Sequence, residues 1–156
     1  MGDPVDELPR PRRDSSLPRN ARRSLPIALL RAREAVMSHF RPMLARHDIT
    51  EQQWRVIRAL AEFGTMDASE LAGRAYILAP SLTRIIRLLE EREIIAKLKD
   101  GKDGRRVLVA ITDKGRAVID QVAPESSCIH CALESKFGAR RIDDLLAMLD
   151  DLANVK

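Results

Sequence analysis

Aromatic residues are scarce in this chain: one Trp, one Tyr and three Phe among 156 residues. A chain of this length can bury the core of one ordinary domain, and here aliphatic side chains on packed helices must fill it. No apolar run approaches the length needed to span a bilayer, and the first 23 residues lack the hydrophobic centre of a secretion signal. The expectation is a cytoplasmic protein that makes no membrane contact. Cysteine is nearly missing, with only Cys128 and Cys131, and two thiols in a cytosolic chain are expected to stay reduced. There is no glycine-rich phosphate loop, no nucleophile elbow and no pair of carboxylates in a recognisable cleft pattern, so nothing marks an enzyme.

What the chain does have is locally concentrated positive charge. The net charge of +4 is mild, but the basic residues gather in residues 10–23, around Arg84 and Arg87, and in residues 97–106. For binding phosphate, concentration matters more than the total. The third cluster sits in the stretch KLKDGKDGRRVLVAITDKG, residues 97–115, where residues 95–99 and 107–111 are apolar or β-branched enough to be strands. Asp100, Gly101, Asp103 and Gly104 between them are turn formers. Five cations stand against two acids in residues 97–106. Alone, such a hairpin tip suits a solvated loop that protects an edge strand as well as a contact with a polyanion.

The residues before it favour the second reading. Pro80 falls at a first-turn position, where its missing N–H costs nothing, so a helix is expected from about residue 79 to 92. Leu82, Ile85, Ile86 and Leu89 form its buried stripe. The other face presents Ser81, Thr83, Arg84 and Arg87, with Arg92 at its end, and these are side chains of the kind that enter a major groove. Upstream, Asp67-Ala68-Ser69-Glu70 reads as a capping box opening a short helix with Leu71, Ala72 and Ala75, and Tyr76-Ile77-Leu78 turns the chain into the Pro80 helix. Thr50-Glu51-Gln52-Gln53 is another capping box, and Trp54, Ile57, Leu60 and Ala61 give its helix a core face that ends near Gly64. Three helices followed by a hairpin is the order of a winged helix-turn-helix.

The fold class expected is therefore mainly α with a small β-wing, a winged helix-turn-helix over residues 49–112 joined to an α-helical dimerisation region of residues 25–48 and 113–156. Residues 1–24 are rich in Pro, Arg, Asp and Ser without periodicity and read as an arm, either a merely soluble tail or a basic extension that reaches DNA. A long helix from Pro26 to Arg46 carries Leu29, Val36, Phe40 and Met43 or Leu44 on one stripe. Arg33 falls on that stripe, where burial is expected and where its guanidinium needs a carboxylate, from the protein or from an acidic ligand. After the hairpin, Thr112 starts a helix through Val118, Ile119 and Val122 that Pro124 should kink or break, with a second stretch to about Phe137. Gly138 separates a last helix, whose seam of Ile142, Leu145, Leu146, Leu149 and Leu152 is more apolar surface than one chain can easily cover. A homodimer made by the first helix and the last two is expected.

Cys128-Ile129-His130-Cys131 leaves three readings open. The spacing suits metal ligation, zinc in particular, if a second copy or Glu125 completes the set; it suits a thiol pair that senses oxidant; and it suits plain helix packing.

The helix order, the Asp103-x-Arg105 pair and Ile111-Thr112-x-x-Gly115 resemble the MarR family of transcription regulators over about residues 25–155. Ile27-Ala28-Leu29-Leu30-x-Ala32-Arg33-Glu34-Ala35, Phe40-Arg41-Pro42, Thr50-Glu51-Gln52-Gln53-Trp54-Arg55 and Ile77-Leu78-x-Pro80-Ser81-Leu82-Thr83 are similar to the homoprotocatechuate-operon regulators of that family, the HpaR type. The resemblance implies a homodimeric repressor that binds a palindromic operator in double-stranded DNA and is released by a small aromatic acid. On matching positions, Ser81, Thr83, Arg84 and Arg87 would contact bases or phosphates. Lys102, Arg105 and Arg106 would serve the wing, and Asp103 would orient Arg105, since a carboxylate facing phosphate repels it. The implied effector pocket draws on Ser24, Ala28, Arg31, Arg33, Met37, His39, Trp54 and Arg58. Arg33 is the carboxylate anchor, because a guanidinium binds carboxylate bidentately, with His39 or Ser24 reaching a ring hydroxyl. The alternative is that Arg33 pairs internally and that Trp54 and Met37 are ordinary core. A thiol- or zinc-responsive regulator triggered at Cys128 and Cys131 is the competing function. Two departures stand out: the glycine that often ends the recognition helix is replaced around Glu93, and Arg84 and Arg87 differ from the HpaR type.

Overall fold

A computed structural model describes residues 24–101 and 106–155. The basic arm and the wing residues Lys102, Asp103 and Arg105 lie outside the described residues. The order of elements is α1 (Leu25–Arg46), α2 (Glu51–Phe63), β1 (Met66–Asp67), α3 (Ala68–Ala75), α4 (Ala79–Glu91), β2 (Ile95–Lys99), β3 (Val107–Ile111), α5 (Asp113–Phe137) and α6 (Ala139–Ala153). This is the mainly helical, winged helix-turn-helix architecture expected. The chain divides into two compact units, one ending at Val36 and the other beginning at Met37.

In the second unit, local signals set the helix ends. Thr50 caps α2 with a full capping box: its hydroxyl accepts the Gln53 N–H at 3.2 Å while the Gln53 side chain accepts the Thr50 N–H at 2.9 Å. Gly64, at φ +83°, ends that helix. Asp67 caps α3 by accepting the Glu70 N–H, and Thr112 caps α5 by accepting the Gly115 N–H. Just past the end of the recognition helix α4, Glu93 adopts φ +61° where a glycine would be free of strain. A side chain in that left-handed region costs about 1 kcal/mol, and the backbone accepts it because the Ile94 N–H still closes on the Leu89 carbonyl.

The two strands expected from the sequence pair antiparallel in register, Ile95 opposite Ile111 through to Lys99 opposite Val107. The sheet has a third strand that the sequence did not reveal. β1 is only two residues long and pairs Met66 with Val109 and Asp67 with Leu108, so the order is β1-β3-β2 and the wing is anchored to the start of α3. The core beneath is aliphatic, as the scarcity of aromatics requires: Leu71, Val56, Ile57 and Val122 are fully buried, and all four residues of the α4 stripe are buried with them.

Three expectations are corrected. Helix α5 continues through Pro124, which sits on an exposed position, so the expected break is absent. Arg33 is exposed instead of buried and pairs with its neighbour Glu34 at 2.9 Å, since Leu29 and Val36 on the same stripe are themselves exposed in the single chain. Arg92 does not extend the DNA-facing row. It donates to the Asp48 carbonyl at 2.6 Å and ties the end of α4 to the α1–α2 turn.

Candidate nucleic-acid interface

Burial of one stripe of α4 leaves the opposite stripe to solvent by helical geometry alone. Ser81, Thr83, Arg84 and Arg87 are all exposed on it. The Thr83 hydroxyl donates back to the Ala79 carbonyl at 3.2 Å, which uses its proton and leaves its oxygen able to act as an acceptor. Arg87 lies 3.5 Å from Glu91 one turn on, a weak exposed pair that a phosphate can outcompete. Among the described residues Arg84 has no carboxylate partner.

The wing is fastened to the helix pair by charge. Arg106, expected to serve DNA, pairs with Asp67, the cap of α3, and the Asp100 N–H closes the hairpin on the Arg106 carbonyl at 3.0 Å. Lys97 similarly reaches Glu90 on α4. These pairs orient the wing relative to the recognition helix, a task that sequence reading missed because the partners are far apart along the chain. The Glu70 N–H first, and then the Arg106 guanidinium, hold the Asp67 carboxyl below its ordinary value of 3.8. A carboxyl depressed in this way contributes stability while ionised, and the contribution is lost as the pH falls through its native value. Asp67→Asn, which keeps a capping oxygen, is therefore expected to lower the melting temperature at neutral pH and to converge with the wild-type protein in acid, once the pH has fallen through the depressed native value of that carboxyl. Thermal melts across that range check it; an offset equal at every pH would show that the charge of Asp67 is not the source.

The residues assigned to an effector are distributed over both units. In the first, Ser24 accepts the Ala28 N–H through its carbonyl at 3.0 Å, and Ala28, Arg31 and Arg33 are exposed. In the second, Met37 and Trp54 are half-buried against the core, while His39 and Arg58 are exposed. Where α1 meets α5, Glu125 takes both Arg46 and, at 2.8 Å, His47, and these two partners, Arg46 foremost, hold its carboxyl below the ordinary range. The His130 ring packs against Phe40 at a tilt, with ring centroids 5.1 Å apart, and Cys128 and Cys131 are free and exposed. Among the described residues no three His, Cys, Asp or Glu side chains are grouped to hold a metal. No helix among them is long and apolar enough to cross a membrane.

A helix pair with an outward cationic face, braced against a three-stranded wing, defines a DNA-binding winged helix-turn-helix protein. The chain belongs to the MarR family of transcription regulators: the family's sequence model matches residues 49–107, and relatives align over most of its length. It is 41% identical over 128 residues to the homoprotocatechuate degradative operon repressor of Escherichia coli, covering 82% of this chain and 86% of the relative. Among solved structures it is similar to NadR in complex with 4-hydroxyphenylacetate, with 41% identity, a TM-score of 0.76, and coverage of 85% and 94% of the two chains. It is also similar to the repressor CouR bound to a 23-mer DNA duplex, with 27% identity, a TM-score of 0.79, and coverage of 90% and 100%. Membership of this family makes the chain a transcription regulator and not an enzyme.

Proposed function

We propose that the protein is a homodimeric repressor of an operon for breakdown of an aromatic compound, that it binds a palindromic operator through two copies of α4, and that a small aromatic acid releases it. The observation that carries this reading is the exposed Ser81, Thr83, Arg84 and Arg87 face, in a chain 41% identical both to an aromatic-catabolic operon repressor and to a protein holding 4-hydroxyphenylacetate. The dimer is supported by unpartnered apolar surface. No residue of α6 is buried, Leu146 and Met148 are more than half exposed, and Ile27 and Leu30 of α1 are similarly open. A second copy of the chain covers such faces at least cost. Such a protein works in the cytoplasm, where the DNA is.

The effector would exchange Glu34 for its own carboxylate at Arg33, with Ser24 reaching a ring hydroxyl. Occupying that site changes the spacing of the two recognition helices, which must stand about one DNA turn apart to enter successive major grooves. Calorimetric titration with hydroxylated phenylacetates, benzoates, cinnamates and indole acids, with and without operator DNA, tests the whole reading. One class of acid is expected to bind and to bind more weakly when DNA is present, as linkage requires. Arg33→Ala should lose the acid and keep DNA. If none of the acids binds, the effector reading fails; if Arg33→Ala binds the acid as the wild type does, the anchor assignment fails.

A further inference from the structure

The turn that joins α3 to the recognition helix carries two large apolar side chains that the core does not use. Tyr76 is 86% exposed and Leu78 80% exposed, while Ile77 between them is 8% exposed and belongs to the core. The alternation arises because Tyr76 is left-handed at φ 52° and Leu78 is extended at φ −66° and ψ 139°. Neither residue is the local choice for its place. A left-handed position favours Gly or Asn, and the N-cap of a helix favours Ser, Thr, Asp or Asn, yet Leu78 is the N-cap of α4 and makes no side-chain cap bond. The turn is nevertheless held in place, since the Arg55 guanidinium donates to the Tyr76 carbonyl at 3.0 Å. Side chains that break local preference, gain no packing and stand on a fixed turn are expected to serve a contact with another molecule.

Their location names that molecule. Leu78, Ser81 and Arg84 follow one another at three-residue intervals along the exposed side of α4, so Leu78 begins the row that faces DNA. The N-terminal residues of a recognition helix are those that meet base edges. Among base edges, the feature an aliphatic side chain selects is the C5 methyl of thymine. Resting on the reading that α4 enters the major groove, we propose that Leu78 packs against a thymine methyl at one position of each half-site, and that the Tyr76 hydroxyl donates to an adjacent backbone phosphate. Leu78 is then a specificity-determining residue and Tyr76 a positioning contact that is blind to sequence.

The test begins with duplexes selected by the wild-type protein from a random-sequence pool. Each thymine is then replaced in turn by deoxyuridine, which removes only the methyl group. At one symmetric position the wild-type affinity is expected to fall about fourfold per half-site, the transfer value of one buried methyl. Leu78→Ala should bind the unmodified duplex more weakly and no longer respond to that replacement. Tyr76→Phe should lower affinity for all the duplexes alike. Both variants should melt at the wild-type temperature, because neither side chain is packed. Leu78→Ala that keeps the wild-type affinity and thymine dependence would overturn the proposal, as would a wild-type protein indifferent to every thymine; the patch would then belong to a protein partner. If the selection recovers no duplex at all, the DNA-binding reading fails and this inference with it, so the two failures are distinguishable.

Discussion

Arg84→Ala is expected to weaken operator binding about ten- to a hundredfold per half-site, the range for withdrawing one guanidinium from a base edge. Arg84 stands on the exposed face of α4, and among the described residues it has no carboxylate to hold it back. Arg87 differs, because Glu91 one turn away competes for it. Arg87→Ala removes a cation and leaves Glu91 to repel phosphate, so it should also weaken binding, chiefly by raising the dissociation rate. Fluorescence anisotropy against a set of operator variants and salt concentrations separates the two roles. If Arg84 reads a base, its removal relaxes the preference at one base pair. If Arg87 holds a phosphate, its removal weakens all sequences alike and lowers the salt slope by about one per half-site. Unchanged affinity in Arg84→Ala would show that α4 meets DNA by another face.

Gly115→Ala should be the most damaging small substitution in the chain. A methyl group built there would sit 2.3 Å from the Ile94 carbonyl oxygen and 2.7 Å from the Ile111 side chain. That carbonyl cannot simply move aside, since it accepts both the Thr112 N–H at 3.1 Å and the Thr112 hydroxyl at 3.0 Å. The substitution must separate the first turn of α5 from the start of β2, and with it the wing from the helix that follows. Overpacking against backbone at a buried site costs about 3 kcal/mol, equivalent to a fall of about 6–12 °C in melting temperature for a chain of this size. Calorimetry checks it. A melting temperature equal to the wild type would mean that α5 can slide along the sheet at no cost, contrary to the close approach of Gly115 to Ile94.

Much of this fold is legible from short-range chemistry. The strands at residues 95–99 and 107–111, the Thr50 and Asp67 caps, the Pro80 start of α4 and its buried stripe all fall where residue type and spacing put them. Each depends on atoms within about one turn or one strand of the signal. The exposed cationic face of α4 is readable for the same reason, as the complement of the buried stripe. The same logic fails for the stretch around Arg33, because periodicity identifies an apolar stripe but not what covers it. It fails at Pro124 because whether a proline breaks a helix depends on where in the fold it sits. The sequence places Tyr76 and Leu78 in a turn but does not show that they stand outward, because a turn has no period against which an outward apolar residue stands out.

By itself the sequence determined the class of protein: the order of the helices, the wing, the cationic row on α4 and the family likeness follow from local preference and spacing. Tertiary structure alone decided which charges are occupied. Arg106 is held by Asp67, Arg92 by the Asp48 carbonyl and Glu125 by Arg46 and His47, while Arg84 has no such carboxylate among the described residues. It also decided that a two-residue strand at Met66 and Asp67 ties the wing to α3. The physical reason is range. Helix and strand preferences act between neighbours in the chain, whereas an ion pair or a ladder bond depends on which groups the finished fold brings within a few ångströms, and no spacing in the sequence encodes that distance.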